Sequence, residues 1–217
     1  KKAEGRVTMV NEIFDQFHKI ATAPRAQMDS YLQQGKKVVL TSPVYTPEEI
    51  LHSMGFVPMG AWGADVELNR SKEYFPAFLC SIVQSMLELG INGAYKGASA
   101  IVIPSLCDTL KTLGENWKYA VKDIPFIPMT YPQHRKPAYG IAYTKAGYER
   151  VIHDLEKLGG KFDAAALAES NRIYNRHNQV MRRAEEVLAN HPEITAAQRS
   201  DLFKSAFFML KEDIPHW

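Results

Sequence analysis

The stretch from Ala98 to Trp117, ASAIVIPSLCDTLKTLGENW, decides the fold. Ala100 to Pro104 is an apolar, largely branched run bounded by Gly97 and Ser105. It is too short for a buried helix and reads as a strand covered on both faces. At Asp108 the period changes. Leu110, Leu113 and Trp117 recur at three- and four-residue spacing and predict a helix with one apolar face. A buried strand passing through a short loop into an amphipathic helix is half of a βαβ unit. One of only two cysteines in 217 residues, Cys107, sits at that junction.

The same grammar repeats on either side. Residues 6–34 carry Val7, Val10, Ile13, Phe14 and Phe17 at helical spacing and predict one leading amphipathic helix. Lys36–Thr41 reads as a second buried strand ended by Pro43, and PEEILHSMG as a short helix closing at Gly55. FVPMGAW follows as a strand, a helix beginning near Phe78 runs through FLCSIVQSMLELG to Gly90, and IPFIPMTYP is a fourth strand. Beyond Pro137 only helical periodicity remains, with breaks at Gly159-Gly160 and His191-Pro192. Short strands alternating with helices predict an α/β fold with an open parallel, Rossmann-like sheet flanked by helices. The expected organisation is a helical lead-in over 1–35, the sheet domain over 36–135 and an all-helical segment over 136–217.

Composition narrows the function classes. A formal net charge of +2 gives no footprint for nucleic acid or an anionic membrane surface. No apolar run approaches the roughly 18 residues that suggest a membrane span. Two cysteines cannot frame a disulfide scaffold, and free thiols suit a reducing cytoplasm. There is no Gly-x-Gly-x-x-Gly and no Gly-Lys-Ser/Thr loop, so neither dinucleotide nor P-loop chemistry is signalled. The seven histidines never fall three or four apart, which excludes a helical zinc pair.

Ligands of an open parallel sheet bind beyond the carboxyl ends of its strands. By this reading Thr41-Ser42-Pro43, Ala61-Trp62-Gly63, Ser105-Leu106-Cys107 and Met129-Thr130-Tyr131 form that rim. Cys107 lies on it beside a helix start, and Cys80 is expected in the first turn of its own helix. Both thiolates would gain from the positive end of a helix dipole. Two such sulfurs suit a soft metal or an iron–sulfur group, yet cysteine is also among the most buried residue types. A pair 27 positions apart fits no local ligand motif, so the residues alone leave both readings open. Glu48 and Glu49 read as helix-start charges, and His134-Arg135-Lys136 as a solvated loop able to meet an anion.

Taken in order, SPVYTPEEILHSMGFVPMGAWGADVEL, EYFPAFLCSIVQSMLELGINGAYKGASAIVIPSLCDTLKTLGENWK and YPQHRK resemble the 2-hydroxyacyl-CoA dehydratase family, which includes benzoyl-CoA reductase-type subunits. The resemblance runs from about Gly35 to the carboxyl terminus and is closest to β-type dehydratase subunits. It implies Rossmann-like domains and a [4Fe–4S] cluster, with Cys80 and Cys107 as two of three cysteine ligands. Ser81, Ser105, Asp108 and Thr109, adjacent to these cysteines in sequence, are expected beside the cluster or the substrate, with Glu48 as a further candidate. The family's third cysteine, which belongs to a later domain, has no counterpart here, so the chain is expected to resemble the first half of such a subunit.

The activity the resemblance implies is dehydration of an (R)-2-hydroxyacyl-CoA to a 2-enoyl-CoA through a ketyl radical. The electron comes from a separate ATP-hydrolysing iron–sulfur activator, and the subunit pairs with an α-type partner as a heterodimer. Two other readings stand beside it. One is a subunit of a benzoyl-CoA-type ring reductase, and the other a non-catalytic α/β assembly module without a cluster.

Overall fold

A computed structural model describes residues 2–42 and 44–214, with side chains from Val10 onward. The readings placed on Pro43, on the Val7 side chain and on the last three residues lie outside it. Four strands form a single parallel sheet in the order β2-β1-β3-β4. They are β1 (Lys37–Thr41), β2 (Phe56–Gly60), β3 (Ala100–Pro104) and β4 (Phe126–Met129). The register sets Thr41 beside Gly60 on one side and Val102 on the other. Each strand expected from the sequence is present, and the α/β class with a parallel sheet is borne out.

Alternation along the strands divides the core in two, because successive side chains leave opposite faces. Val38 and Leu40 of β1 and Ile101 and Ile103 of β3 enter one layer, with α2 (Pro24–Gln33), α4 (Ser81–Ile91) and α5 (Asp108–Ala120). Val39, Ala100 and Val102 enter the other, with α3 (Glu48–Ser53) and α6 (Ala138–Lys157). The long α7 (Ala164–Ala189) packs on α3, and α8 (Ala196–Ser205) packs on α1 (Lys2–Thr22). The expected stripe of Leu110, Leu113 and Trp117 is buried, and the Trp117 indole donates to the Ile124 carbonyl at 2.9 Å.

Two boundaries differ from the sequence reading. The leading helix is two helices, because Pro24 takes the first position of α2 and the chain breaks at Ala23. Proline lacks the N–H that would continue the first helix and suits the start of the next. The helix expected from Phe78 begins instead at Ser81, with Cys80 as its N-cap in extended geometry. Phe78 is 86% exposed, so no packing draws the Phe78–Cys80 segment into the helix.

After α8 the chain returns to the sheet. The Gly60 amide donates to the Phe207 carbonyl at 2.7 Å, so the terminal segment caps β2. The Tyr31 hydroxyl donates to Phe208 and accepts from the Leu210 amide. Of the aromatic residues in FKSAFFML, Phe208 is buried and Phe207 stays exposed against Trp62. Among the described residues no helix is long and apolar enough to cross a membrane.

Candidate functional site

The strand order fixes where a site can form. From β1 the chain crosses to β2 on one side, and from β2 it returns past β1 to β3. The reversal leaves a crevice beyond the carboxyl ends of β1 and β3, where such sheets hold ligands. Ser42 and Ser105 follow those two strands directly. The amide of Ser42 donates to Val102, and that of Ser105 to Met129, which carries the ladder one residue past the strands.

Cys80 and Cys107 come to this rim for the same reason. Helices α4 and α5 pack side by side on one face of the sheet. Each connects one parallel strand to the next, so each begins at the end where the strands finish. Cys80 is the N-cap of α4 and Cys107 the N-cap of α5, both in extended conformation and neither capping its helix with the side chain. Both thiols are free and exposed, which overturns the reading of inert core cysteines. The placement of Cys80 also corrects the expectation that it lies inside a first turn.

The loop that carries Cys80 is anchored by side chains that no sequence motif singles out. Asn116 of α5 donates to the Tyr74 carbonyl at 2.8 Å, and Gln84 of α4 to the Leu79 carbonyl at 2.7 Å. Glu88, 2% exposed, accepts from the amides of Asn69 and Ser71 and holds the 3-10 turn Arg70–Glu73. Burial pushes the Glu88 carboxyl up, but the Ser71 and Asn69 amides outweigh it and hold its pKa down to about 2. A glutamate within the apolar run SIVQSMLELG is the one signal of this role in the sequence.

The remaining expected residues divide. Ser81 opens α4, and Ser105 accepts the Tyr131 amide at 3.3 Å on its hydroxyl, tying the β3 loop to the β4 loop. Asp108 turns to solvent and meets Lys111 at 3.1 Å, whereas Thr109 is half-buried. Glu48 has partners of its own. Its carboxylate accepts from Thr41 and Tyr174 at 3.3 Å each and pairs with Lys211, itself buried, at 3.3 Å. His52 reaches this network through the Tyr174 ring and also meets Ser170 and Glu212. Beside it, burial and the nearby Lys211 charge lower the pKa of His177 to about 4, and its Nδ1 has no partner. Glu49, with its carboxyl raised by burial and by Glu48, lines a cavity of about 460 Å³ with Tyr45, Tyr131 and Tyr148. Tyr45 there holds a left-handed backbone at φ 64°, with its carbonyl accepting from Tyr131 at 2.6 Å. In the loop beyond β4, His134 meets the Tyr139 hydroxyl, and Arg135 lies over the Tyr45 ring.

Residues 43–217 match the family model described as 2-hydroxyglutaryl-CoA dehydratase, D-component. The chain belongs to this family. It is 38% identical to the (R)-phenyllactyl-CoA dehydratase beta subunit of Clostridium sporogenes, over 94% of this chain and 55% of that protein. It is 40% identical to the lactoyl-CoA dehydratase subunit beta of Anaerotignum propionicum, over 95% of this chain and 55% of that protein. With the (R)-2-hydroxyglutaryl-CoA dehydratase subunit beta of Acidaminococcus fermentans the identity is 35%, over 94% and 55%. The chain thus spans about half the length of the curated relatives it matches.

For an iron–sulfur group of the kind implied above, the donors fit in kind. They are two unpaired, exposed sulfurs at the starts of two neighbouring helices. In number they fall short of the roughly four ligands a cluster takes. No three His, Cys, Asp or Glu side chains converge as a metal site among the described residues.

Proposed function

We propose that this chain belongs to a β-type, iron–sulfur-carrying subunit of an (R)-2-hydroxyacyl-CoA dehydratase, which removes water from the substrate to leave a 2-enoyl-CoA. The observation that carries this reading is the pair of exposed N-cap thiols, Cys80 and Cys107, at the carboxyl edge of one sheet face. The beta-subunit names of three relatives favour dehydration over ring reduction. In this reading an α-type subunit shares the reaction, and an ATP-dependent activator supplies the electron. The unpaired thiols suit the reducing cytoplasm.

Cys80 and Cys107 would hold a [4Fe–4S] cluster, with the remaining ligands from outside this pair. Bound there, the cluster supplies one-electron transfer. The chain's own contribution is orientation and charge. The first amides of α4 and α5 have no partner within their helices and present N–H groups at the same end as the sulfurs. Hydrogen bonds of this kind to cluster sulfurs tune the reduction potential. Asn116, Gln84 and Glu88 keep the Cys80 loop in place, and the Ser105–Tyr131 bond does the same for the Cys107 loop.

The test is an anaerobic assay of iron and acid-labile sulfide, with a visible spectrum, on the reconstituted chain and on Cys80→Ser and Cys107→Ser. The expected result is a brown protein whose iron falls in both variants. Iron unchanged in both variants overturns the assignment of these sulfurs, and a colourless protein after reconstitution means that this chain by itself holds no cluster.

A further inference from the structure

A cavity of about 730 Å³ lies on the α2–α4 side of the sheet, with neither thiol in its lining. Its size falls in the range of small-molecule sites, roughly 300–1,000 Å³. The room exists because Ala21, Ala23, Ala26, Gly63 and Ala94 line it where larger side chains would fill it. Met28, Leu40, Met59, Leu89 and Phe208 give it an apolar floor.

Its polar groups are few and unequal. Arg25 is spent: its guanidinium donates to the carbonyls of Ala94 and Lys96 and pairs with Asp29 at 2.6 Å. The Tyr95 hydroxyl is likewise committed to the Trp62 carbonyl. One charged donor remains. Lys204 is exposed and meets no carboxylate among the described residues, whereas the Trp62 indole Nε1 is buried against Gly60. With Arg25 cancelled by Asp29, Lys204 leaves one uncompensated positive charge on the wall.

Gly63, Ala64 and Lys204 are shared with a shallower pocket of about 440 Å³ that Asp65, Ser81 and Ser85 also line. Asp65 repels an anion that reaches past Lys204, so the charged end of a ligand stops at the ammonium.

From these features we infer that the cavity is a binding site for a monocarboxylate with an extended apolar body. The hydrocarbon lies against Met28, Leu40 and Met59, and the carboxylate accepts from the Lys204 ammonium at the wall. This site does not rest on the iron–sulfur reading, and neither cysteine lines it.

The experiment titrates the chain with decanoate, decanol and acetate, with decanoate kept below micelle-forming concentration. The Trp62 indole N–H resonance is followed by proton–nitrogen NMR, assigned through Trp62→Phe. Decanoate is expected to give a saturable shift of this wall residue, decanol weaker binding, and acetate none. Lys204→Glu, a change on an exposed helix surface, should weaken decanoate by about tenfold and leave decanol unchanged, because only the carboxylate meets that charge. Ala26→Leu, which narrows the cavity from a helical position, should weaken both long-chain ligands. No saturable shift with decanoate overturns the site. Equal affinity for decanoate and decanol, with Lys204→Glu inert, overturns the carboxylate assignment.

Discussion

At the carboxyl end of the sheet the two faces carry opposite kinds of polar group. On the α4–α5 face, the N-cap residues Cys80 and Cys107 are exposed, and their thiols make no cap hydrogen bond and no disulfide among the described residues. On the α3–α7 face, Glu48, Lys211, Tyr174 and His52 are withdrawn from water and engage one another. Buried charge persists only when paired, so the second group is committed to holding the terminal segment on α3. Exposed donors at helix starts have no such obligation and stay available to a ligand. The two groups share one end of the fold and separate into architecture and chemistry.

If that division is right, perturbations of the packed elements should cost far more stability than loss of either thiol. The largest effect is expected at Trp117, which is 0% exposed and joins α5 to the sheet. Trp117→Ala should cost about 4 kcal/mol in urea unfolding, through lost burial and a cavity. Lys211→Met should cost about 3 kcal/mol, because it leaves the Glu48 carboxylate half-enclosed without its cation. Adding Glu48→Gln to that variant should recover much of the loss. Recovery of nothing would mean that Lys211 acts by packing alone. Glu88→Gln should cost about 2 kcal/mol, because the Asn69 and Ser71 amides lose a charged acceptor. In an anaerobic assay of the reconstituted chain it should also slow iron uptake, since the Cys80 loop rests on that turn.

A smaller, pH-dependent effect follows from His177. Its pKa falls from 6.5 unfolded to about 4 folded, so the unfolded chain binds the extra proton between those values. The contribution of neutral His177 is fully present above about pH 6.5 and is lost as pH falls toward 4. His177→Gln should flatten that part of the stability profile. An unchanged slope would show that His177 gains a partner on protonation. The smallest effect is expected at the thiols themselves. Cys80→Ser and Cys107→Ser should each move the unfolding free energy of the metal-free chain by less than about 0.5 kcal/mol. A cost several times larger would place them with the buried group and break the contrast.

Much of this architecture is legible in the order of residues alone. The branched run at Ala100–Pro104 and the Leu110-Leu113-Trp117 stripe dictate a buried strand and a one-faced helix. They do so because a branched apolar run too short for a buried helix suits a strand covered on both faces, whereas apolar residues three and four apart line one side of a helix. The rim position of Cys107 follows from the same pattern, since a thiol placed after a parallel strand must emerge at its carboxyl end. The start of α4 is not legible in this way, because FPAFLC is apolar enough to continue the helix and only packing shows that Phe78 has nothing to rest against. Nothing local announces that Lys211 finds Glu48, or that Glu88 reaches back to Ser71. These pairs are brought together by crossovers and by the return of the terminal segment, and their separation in sequence carries no signal. Periodicity, a property of neighbouring residues, determined the elements and the edge on which the cysteines stand. Which polar groups are buried in pairs and which are left open to a ligand was decided by the tertiary structure, because burial belongs to the assembled layers and to no single segment.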